Sequence, residues 1–311
     1  MLHRLADPEV GASGHDPGLL RNALAYLRRE RYELLDLREL FRRLAEGVPA
    51  GRPAVVFTMD DGYLEQASVA GDIFAAFDCP VTTFVTTGFL DAALWLWWDQ
   101  IEYIFEHARK VAVEVELEGT SLHYLRDPVA GYAEALRDFI ARCKRVSNQA
   151  KLEGIERLAT AVEVEVPAQP PLRYRPMSWN QVRALELRGM SFAPHSVTHP
   201  VLSRTSDEQS QREIQESWER LRTCARSPVP IFCYPSGEAE DYGAREINTL
   251  KALGLSGAVA ATLGYAGARE FTRGVDGPFH VPRLAYPDDL DLLTQYVSGL
   301  ERFKEILRGQ G

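Results

Sequence analysis

Residues 54 to 62 of this 311-residue chain have the sequence Ala-Val-Val-Phe-Thr-Met-Asp-Asp-Gly. The apolar run over 54–58 shows no alternation with polar residues, which is typical of a strand buried on both faces of a parallel sheet. A helical pattern over 65–77 and a β-branched run over 80–85 follow it. Strand, helix and strand in this order predict an α/β fold with a parallel sheet and crossover helices.

Two adjacent acids, Asp60 and Asp61, end this first strand. Active sites of parallel α/β folds form at the carboxyl ends of the strands. Three other predicted strand ends also carry polar or turn-forming residues, namely His195 with His199, the segment Tyr234 to Gly237, and Arg283. We therefore expect these four strand ends to build one hydrolytic site.

The segment His195-Ser-Val-Thr-His199 places two imidazoles four positions apart. Two such side chains can reach one metal ion if the backbone between them makes a single helix-like turn. Pro194 and Pro200 flank the segment and predict a short turn after a strand over 189–193, because the residue before a proline avoids helical backbone angles.

One carboxylate, two neutral imidazoles and open positions for water are the ligands of a catalytic metal rather than of a closed structural one. A metal of this kind activates a carbonyl group and a water molecule. Neighbouring side chains point in different directions, so Asp60 and Asp61 can have different roles. One binds the metal while the other removes a proton from the water.

Residues 92–172 interrupt the α/β alternation with a tryptophan-rich helix, a hairpin and two more helices. We expect this segment to be an insertion that decorates one face of a single domain spanning 1–311. Beyond it we expect a helix over 207–225 capped by Ser206, and a closing helix over 290–307. The later strands are expected at 189–193, 230–234, 257–261 and 279–284.

The net charge is −9 with no long block of one sign, which argues against a nucleic-acid partner. The four cysteines are sparse and favour reduced thiols, with Cys224–Cys233 as the alternative pairing. The window Ala92 to Ile104 contains acids and is too short to span a membrane. The N-terminus lacks the apolar core of a secretory signal, so we expect a cytoplasmic protein unless the chain is part of a longer exported one. The oligomeric state is left open.

Each motif by itself also has a structural explanation. Asp-Asp-Gly and Tyr-Pro-Ser-Gly suit ordinary turns, and histidines four apart also occur as surface or capping residues. Trp95, Trp97 and Trp98 fit core packing better than a sugar-binding surface. The motifs nevertheless occur together, each at a strand end, and this combination favours a site.

Residues Thr58-Met-Asp-Asp-Gly62 resemble the Thr-Phe-Asp-Asp-Gly motif of the polysaccharide deacetylases, the NodB-homology group also called carbohydrate esterase family 4. Residues 195–199 are similar to that family's His-[Ser/Thr]-x-x-His motif. Residues 233–237, Cys-Tyr-Pro-Ser-Gly, are similar to a degraded Arg-x-Pro-[Tyr/Phe]-Gly motif. The resemblance covers most of the chain outside 92–172.

The resemblance implies a distorted (β/α) barrel with fewer strands than the full eight. It also implies metal-dependent removal of acetyl groups from N-acetylated sugars. By position, Asp60 would be the general base. The metal, usually zinc, would be bound by Asp61, His195 and His199.

The third motif implies that the backbone N–H of Ser236 helps to hold the oxyanion. Tyr234 and Pro235 would contact the substrate. The family's motif arginine, which steadies the base, is replaced by Cys233 in this chain. We expect Arg283, on another strand, to supply that charge.

The family's late Leu-x-Leu-His motif, whose histidine acts as general acid, has no clear counterpart. His280 is one candidate for that role, but strand alternation points it away from its neighbours. A metal-bound water or another group is the alternative. His3-Arg4 also resembles a pair found on the first strand of related bacterial deacetylases, where it lines the site.

These observations predict a zinc-dependent hydrolase that removes an N-acetyl group from an amino sugar or glycan. A related enzyme acting on a non-sugar amide is the first alternative. A catalytically silent carbohydrate-binding protein is the second, favoured by the missing arginine and the missing general acid and opposed by the intact Asp60, Asp61, His195 and His199.

Overall fold

The computed structural model describes residues 1–48 and 51–300. Its helices are α1 (Pro17–Arg29), α2 (Leu37–Glu46), α3 (Gly71–Ala76), α4 (Thr87–Leu90), α5 (Trp97–His107), α6 (Ala133–Cys143), α7 (Asn148–Val162), α8 (Trp179–Glu186), α9 (Asp207–Cys224), α10 (Ala244–Ala252), α11 (Ala268–Phe271) and α12 (Leu290–Val297). Its strands are β1 (Glu33–Leu35), β2 (Ala54–Asp61), β3 (Val81–Val85), β4 (Ala112–Leu117), β5 (Thr120–Leu125), β6 (Ser191–Pro194), β7 (Ile231–Cys233) and β8 (Gly257–Val259).

Four parallel strands form the main sheet in the order β1-β2-β3-β6. Their register places Asp61 of β2 opposite Val85 of β3, and Val85 opposite Pro194 of β6. The three strands therefore finish at the same edge, which brings the Asp-Asp pair close to the histidines that follow Pro194. The predicted parallel α/β class is confirmed.

The sheet continues beyond β6 in a curl. The Val229 N–H donates to the carbonyl oxygen of Phe192 at 2.7 Å, which joins β6 to the segment before β7. β7 pairs parallel with β8, and Val259 at the end of β8 bridges to Val281. These links carry the curl from β6 to the segment around Val281.

The first residues of the described chain lie on the other side of β2. Leu2 forms a parallel bridge with Met59, and its N–H donates to the carbonyl oxygen of Thr58 at 2.8 Å. The Tyr286 N–H donates to the carbonyl oxygen of Met1 at 2.8 Å. The sheet is thus a curled, parallel half-barrel, as expected for a distorted (β/α) barrel.

Two predicted segments differ from the structure. The strand expected over 279–284 is reduced to the bridge at Val281, because Gly277–Phe279 forms a 3-10 turn that contains a proline. The helix expected over 65–77 begins with a π-helical turn, Gln66–Ala70, before α3.

The start of α9 and the end of α12 follow local signals. Ser206 caps α9 as predicted, since its side chain accepts the Gln209 N–H at 3.2 Å. The closing helix ends at Val297, just before Gly299, whose φ is +76°. The helix is therefore shorter than the predicted 290–307 within the described chain, and residues 301–307 of that prediction lie outside the described residues.

The apolar side chains pack in more than one cluster. The main cluster lies around the barrel and includes Phe74, Phe192 and Phe232. A second cluster lies in the inserted segment, where α5, α6 and α7 pack against the β4–β5 hairpin around Phe139. Within residues 1–48 and 51–300, no helix combines the length and apolar character that crossing a bilayer would need.

Candidate metal centre

The end of β2 buries two carboxylates. Asp60 and Asp61 are each 2% exposed. Asp61 has φ +84°, a backbone angle that is uncommon outside glycine, and Gly62 follows with φ +94°. The positive φ of Gly62 favours glycine at this turn, and a Cβ there would also lie 2.6 Å from Cδ1 of Leu90.

Residues 195–199, the metal turn, leave β6 in a short turn as predicted, although its backbone is not helical. Ser196 and His199 have φ values of +64° and +56°. The turn is held by α4, because the Gly88 N–H donates to the Val197 carbonyl oxygen at 3.0 Å. A Cβ at Gly88 would lie 2.7 Å from that oxygen, so the two segments can approach only at glycine.

Glu213 on α9 holds the other side of the metal turn. Its Oε2 accepts the N–H groups of Val197 and Thr198, both at 2.8 Å. Its Oε1 accepts the Thr198 hydroxyl at 2.5 Å. A buried carboxylate that accepts three such bonds fixes the turn firmly, since hydrogen bonds to charged groups are the strong ones.

The metal turn brings both imidazoles to Asp61. Nε2 of His195 and Nε2 of His199 are 3.1 Å apart. Oδ1 of Asp61 lies 3.7 Å from the first and 3.6 Å from the second. Three ligands bound at ~2.1 Å around a tetrahedral ion would be roughly 3.4 Å apart, so this spacing fits one metal ion.

Hydrogen bonding prepares these atoms for a cation. Nδ1 of His195 lies 2.8 Å from the carbonyl oxygen of Cys233, which can only accept, so Nδ1 carries the proton and Nε2 keeps its lone pair. Oδ1 of Asp61 is buried with no hydrogen-bond partner among the described residues. An unpaired buried carboxylate oxygen beside two imidazole nitrogens is what a metal ion would satisfy.

The electrostatics agree with this reading. Burial lowers the pKa of His195 to about 4 and that of His199 well below its usual value, so both rings are neutral ligands. Burial, with the charges of Asp60 and Asp99, raises the pKa of Asp61 well above its usual value. Asp61 therefore lacks a counter-charge, which a divalent cation would provide.

Asp60 has the opposite environment. Nη1 and Nη2 of Arg283 donate to its two oxygens, both at 2.8 Å. Burial alone would raise the pKa of Asp60, but the charge and hydrogen bonds of Arg283 hold it below its usual value. The structure thus brings together the carboxylate and the arginine that the sequence predicts as partners, although 223 positions separate them.

Cys233 lies beside this ion pair. Its sulfur is 3.1 Å from Nη2 of Arg283, and burial raises its pKa well above the usual value. Asp60, His195 and Cys233 also lie close enough together to hold a metal. However, both oxygens of Asp60 are bound by Arg283, so the set Asp61, His195 and His199 is the better metal site. None of the four cysteines is disulfide-bonded.

The third motif is placed differently from the first two. The Tyr234 hydroxyl donates to the Phe279 carbonyl oxygen at 3.2 Å, and its ring stacks on Tyr242 with centroids 3.6 Å apart. Tyr234 and Pro235 are buried, so their side chains are used in packing. Ser236 is half-buried and has φ +61° in the turn after β7.

The sequence offers two further histidines as candidates for the site. Nε2 of His3 lies 3.8 Å from Oδ2 of Asp60, and 51% of its side chain is exposed. Nδ1 of His280 instead lies 3.0 Å from the Tyr242 hydroxyl. Of the two, His3 is the one placed at the edge of the site.

The inserted segment also reaches the metal turn. The Trp97 indole N–H donates to the His199 carbonyl oxygen at 3.2 Å. The rings of Trp98 and His199 are steeply inclined to one another, at 74°, with centroids 4.6 Å apart. Sequence reasoning treated the tryptophans as packing residues, whereas two of them touch a predicted metal ligand.

Sequence reasoning also missed Glu213, Tyr63 and Asp99. The signal for Glu213 was a charge on the same face of α9 as Ile214 and Trp218, where a buried acid needs partners. Asp99 was visible only as an acid that interrupts an apolar window. Tyr63, directly after the Asp-Asp-Gly turn, had no signal.

The sequence matches the family model described as polysaccharide deacetylase over residues 47–258. This span contains the Asp60-Asp61-Gly62 strand end and the metal turn, and it ends before Arg283. No curated protein sequence matches the chain.

Solved structures share the fold. The Streptococcus pyogenes deacetylase PplD in complex with acetate is similar with a TM-score of 0.58 and 18% identity, over 94% of this chain and 95% of that chain. IcaB from Ammonifex degensii is similar with a TM-score of 0.55 and 15% identity, over 95% and 93%. A de-N-acetylase from Aggregatibacter actinomycetemcomitans is similar with a TM-score of 0.53 and 14% identity, over 92% and 93%.

Proposed function

Because this chain belongs to the polysaccharide deacetylase family, we propose that it is a metal-dependent hydrolase that removes an N-acetyl group from an amino sugar or glycan. The observation that carries the proposal is the pair of carboxylates at the end of β2. Asp61 faces two neutral imidazoles, while its neighbour Asp60 is held as an anion by Arg283. Asp61 is thus available to bind a cation, and Asp60 is available to accept a proton.

Asp61, His195 and His199 are the residues that would hold the metal. This mixed set of nitrogen and oxygen donors suits Zn²⁺. A bound cation would supply Lewis-acid activation of the amide carbonyl and of water.

Asp60 is the group that would take the proton of the attacking water. Arg283 keeps its carboxylate ionised and oriented, in place of the motif arginine that Cys233 replaces. The N–H of Ser236 would donate to the oxyanion, a task that does not depend on the side chain. Any substrate contact of Tyr234 and Pro235 would use the backbone, since both side chains are buried.

The leaving nitrogen needs a proton, and we propose that His3 passes on to it the proton that Asp60 takes from the water. Burial lowers the pKa of His3, so its ring is neutral until it receives that proton. Its ring is half-exposed and lies 3.8 Å from Oδ2 of Asp60. His280 contacts Tyr242 instead. We expect His3→Gln to lower kcat with little change in metal content, and His280→Gln to leave kcat within about twofold of the wild type.

The decisive experiment measures acetate release from a panel of N-acetylated sugars, oligosaccharides and non-sugar amides. Metal-stripped and zinc-reloaded protein would be compared with Asp60→Asn. We expect zinc-dependent release that falls by about 10²–10⁴ in Asp60→Asn while zinc is retained. Asp241→Asn, a change at another buried carboxylate, is the control.

Three outcomes would contradict the proposal. Release only from non-sugar amides would replace the substrate class. Stoichiometric zinc binding without release from any compound would favour a silent binding protein. Full activity in Asp60→Asn would remove Asp60 from the role of base.

A further inference from the structure

The second metal-ligand candidate, His199, has an unusual environment on the side of its ring that faces away from Asp61. Its Nδ1 is buried and makes no hydrogen bond of normal geometry among the described residues, although the backbone of His199 itself interacts with the ring. His195 differs, because its Nδ1–H donates to the carbonyl oxygen of Cys233. Metal-binding histidines almost always donate their second ring N–H to an acceptor, which fixes the ring and its tautomer.

The aromatic ring of Trp98 lies against His199. The two ring centroids are 4.6 Å apart, and the ring planes are inclined by 74°. In such an edge-to-face contact, an N–H at the edge of one ring can point at the π-electrons of the other. Trp98 therefore offers a π acceptor to the buried Nδ1–H of His199, which has no well-aligned nitrogen or oxygen acceptor.

We propose that the π face of Trp98 accepts the Nδ1–H of His199, which makes Trp98 a positioning residue for the metal centre. The inference rests on the proposed function to the extent that Nε2 of His199 must be the metal-binding atom. Nδ1 then carries the proton, and a neighbouring π face lowers the cost of burying it.

A hydrogen-bonded chain holds Trp98 in this orientation. Its indole N–H donates to the Tyr63 hydroxyl at 2.9 Å, and that hydroxyl donates to Oδ2 of Asp99 at 2.8 Å. The guanidinium of Arg4 lies 4.0 Å from the centroid of the Tyr63 ring. Each polar atom of the chain is buried or partly buried, so the orientation of the indole is set by the protein rather than by solvent.

The adjacent Trp97 supports the same ligand through its backbone. Its indole N–H donates to the His199 carbonyl oxygen at 3.2 Å, and its ring is buried. Consecutive tryptophans at the start of α5 thus hold the backbone and the ring of one histidine. The inserted segment accordingly contributes to metal binding and is more than a surface decoration.

The first test is the affinity for Zn²⁺, measured by competition with a chelator, in Trp98→Leu and Trp98→Phe. We expect Trp98→Leu to weaken zinc binding by roughly ten- to a hundredfold, the usual effect of losing such a partner. Trp98→Phe should lose less, because a phenyl ring keeps a π face. Trp179→Leu is the matched control: its indole is also half-buried and donates to a carboxylate, that of Asp91 at 2.7 Å.

The second test observes the proton itself in ¹⁵N-histidine-labelled, zinc-loaded protein. A proton above an aromatic face is shielded, so the Nδ1–H of His199 should resonate upfield of the Nδ1–H of His195. In Trp98→Leu this resonance should move downfield or broaden. Tyr63→Phe is a milder variant, because it keeps the Trp98 indole but removes the hydroxyl that orients it. It should shift the His199 Nδ1–H resonance by a smaller amount in the same direction.

Two results would overturn the inference: zinc affinity in Trp98→Leu within twofold of the wild type, or an unshielded His199 Nδ1–H. Neither readout uses turnover. A protein that binds zinc tightly but releases no acetate would therefore contradict the proposed function and leave this inference standing. Unchanged zinc affinity in Trp98→Leu, together with acetate release by the wild type, would contradict this inference and leave the proposed function standing.

Discussion

Asp60 and Asp61 are neighbours in the chain and are equally buried, yet their charges have different partners. Both carboxylate oxygens of Asp60 accept hydrogen bonds from Arg283, whereas Oδ1 of Asp61 faces two neutral imidazoles. Burial raises the pKa of Asp61, and the guanidinium reverses that effect for Asp60. At the scale of single residues, the end of β2 thus holds Asp60, whose charge is paired with Arg283, and Asp61, which has no cationic partner among the described residues.

The ion pair between Asp60 and Arg283 leads to a stability prediction. Removing one partner of a buried pair leaves an uncompensated charge, so Arg283→Met should lower the free energy of unfolding by about 3–5 kcal/mol at pH 7. The double variant Asp60→Asn/Arg283→Met should recover most of this loss, because no charge remains buried. Urea denaturation of the three proteins gives the comparison. Equal losses in the single and double variants would show that packing, not charge, is the cause.

Asp99 leads to a pH prediction. Burial raises its pKa to about 8, against an unfolded value of about 3.9, so the folded protein holds a proton that the unfolded chain releases. The stabilisation from neutral Asp99 is complete below pH ~4 and is lost as pH rises toward 8.

Relative to Asp99→Asn, metal-free wild-type protein should therefore lose on the order of 1.4 kcal/mol of unfolding free energy per pH unit between those values. Unfolding free energies of both proteins at pH 5, 6 and 7 measure the slope. A difference that stays constant with pH would contradict the prediction.

At the scale of elements, the metal turn depends on α9. The Glu213 carboxylate accepts two backbone N–H groups and one hydroxyl from this turn. Glu213→Gln replaces one acceptor oxygen by a donor, and we expect a loss of about 1.5–3 kcal/mol of stability. Zinc affinity should fall as well, because the turn carries both histidines. Glu216→Gln, an exposed position on the same helix, should leave both quantities unchanged.

Local patterns account for what the sequence predicted among these elements. The apolar run before Asp60 predicts a buried parallel strand, and the prolines around 195–199 predict a short turn. Ser206 predicts the start of α9 because a cap acts over three residues. The contact of Trp98 with His199 joins positions about a hundred apart, and no spacing rule relates them. The π-helical turn over Gln66–Ala70 likewise cannot be predicted from the spacing of the apolar residues in this segment.

Arg283 is an intermediate case. The sequence predicts that a positive charge from elsewhere in the chain lies beside Asp60, because the position of the motif arginine is occupied by Cys233. It could not select the register that aims this guanidinium at Asp60, since the expected strand over 279–284 is only a bridge at Val281. The pair forms because the curled sheet brings that segment beside the end of β2.

At the scale of the whole molecule, the inserted segment has an apolar cluster of its own, which predicts separable losses of protection. Phe139→Ala in this cluster should cost about 3–5 kcal/mol. Amide exchange should accelerate mainly over 112–162 while β2 and β3 stay protected. Phe232→Ala, in the main cluster, should expose the barrel strands instead. Hydrogen-exchange mass spectrometry distinguishes the two patterns, and identical patterns would mean that the two clusters unfold together.

The route by which Arg283 reaches Asp60 also matters for how related chains are classified. The charge beside Asp60 comes from the segment after β8, whereas the family motif would place it at the end of β7, where Cys233 lies. A sequence alignment would record the motif arginine as lost in this chain, although the guanidinium of Arg283 contacts Asp60. An arginine missing from that motif position therefore does not mean that the first aspartate lacks a guanidinium partner, and a three-dimensional search for any guanidinium beside that aspartate would separate true losses from relocations.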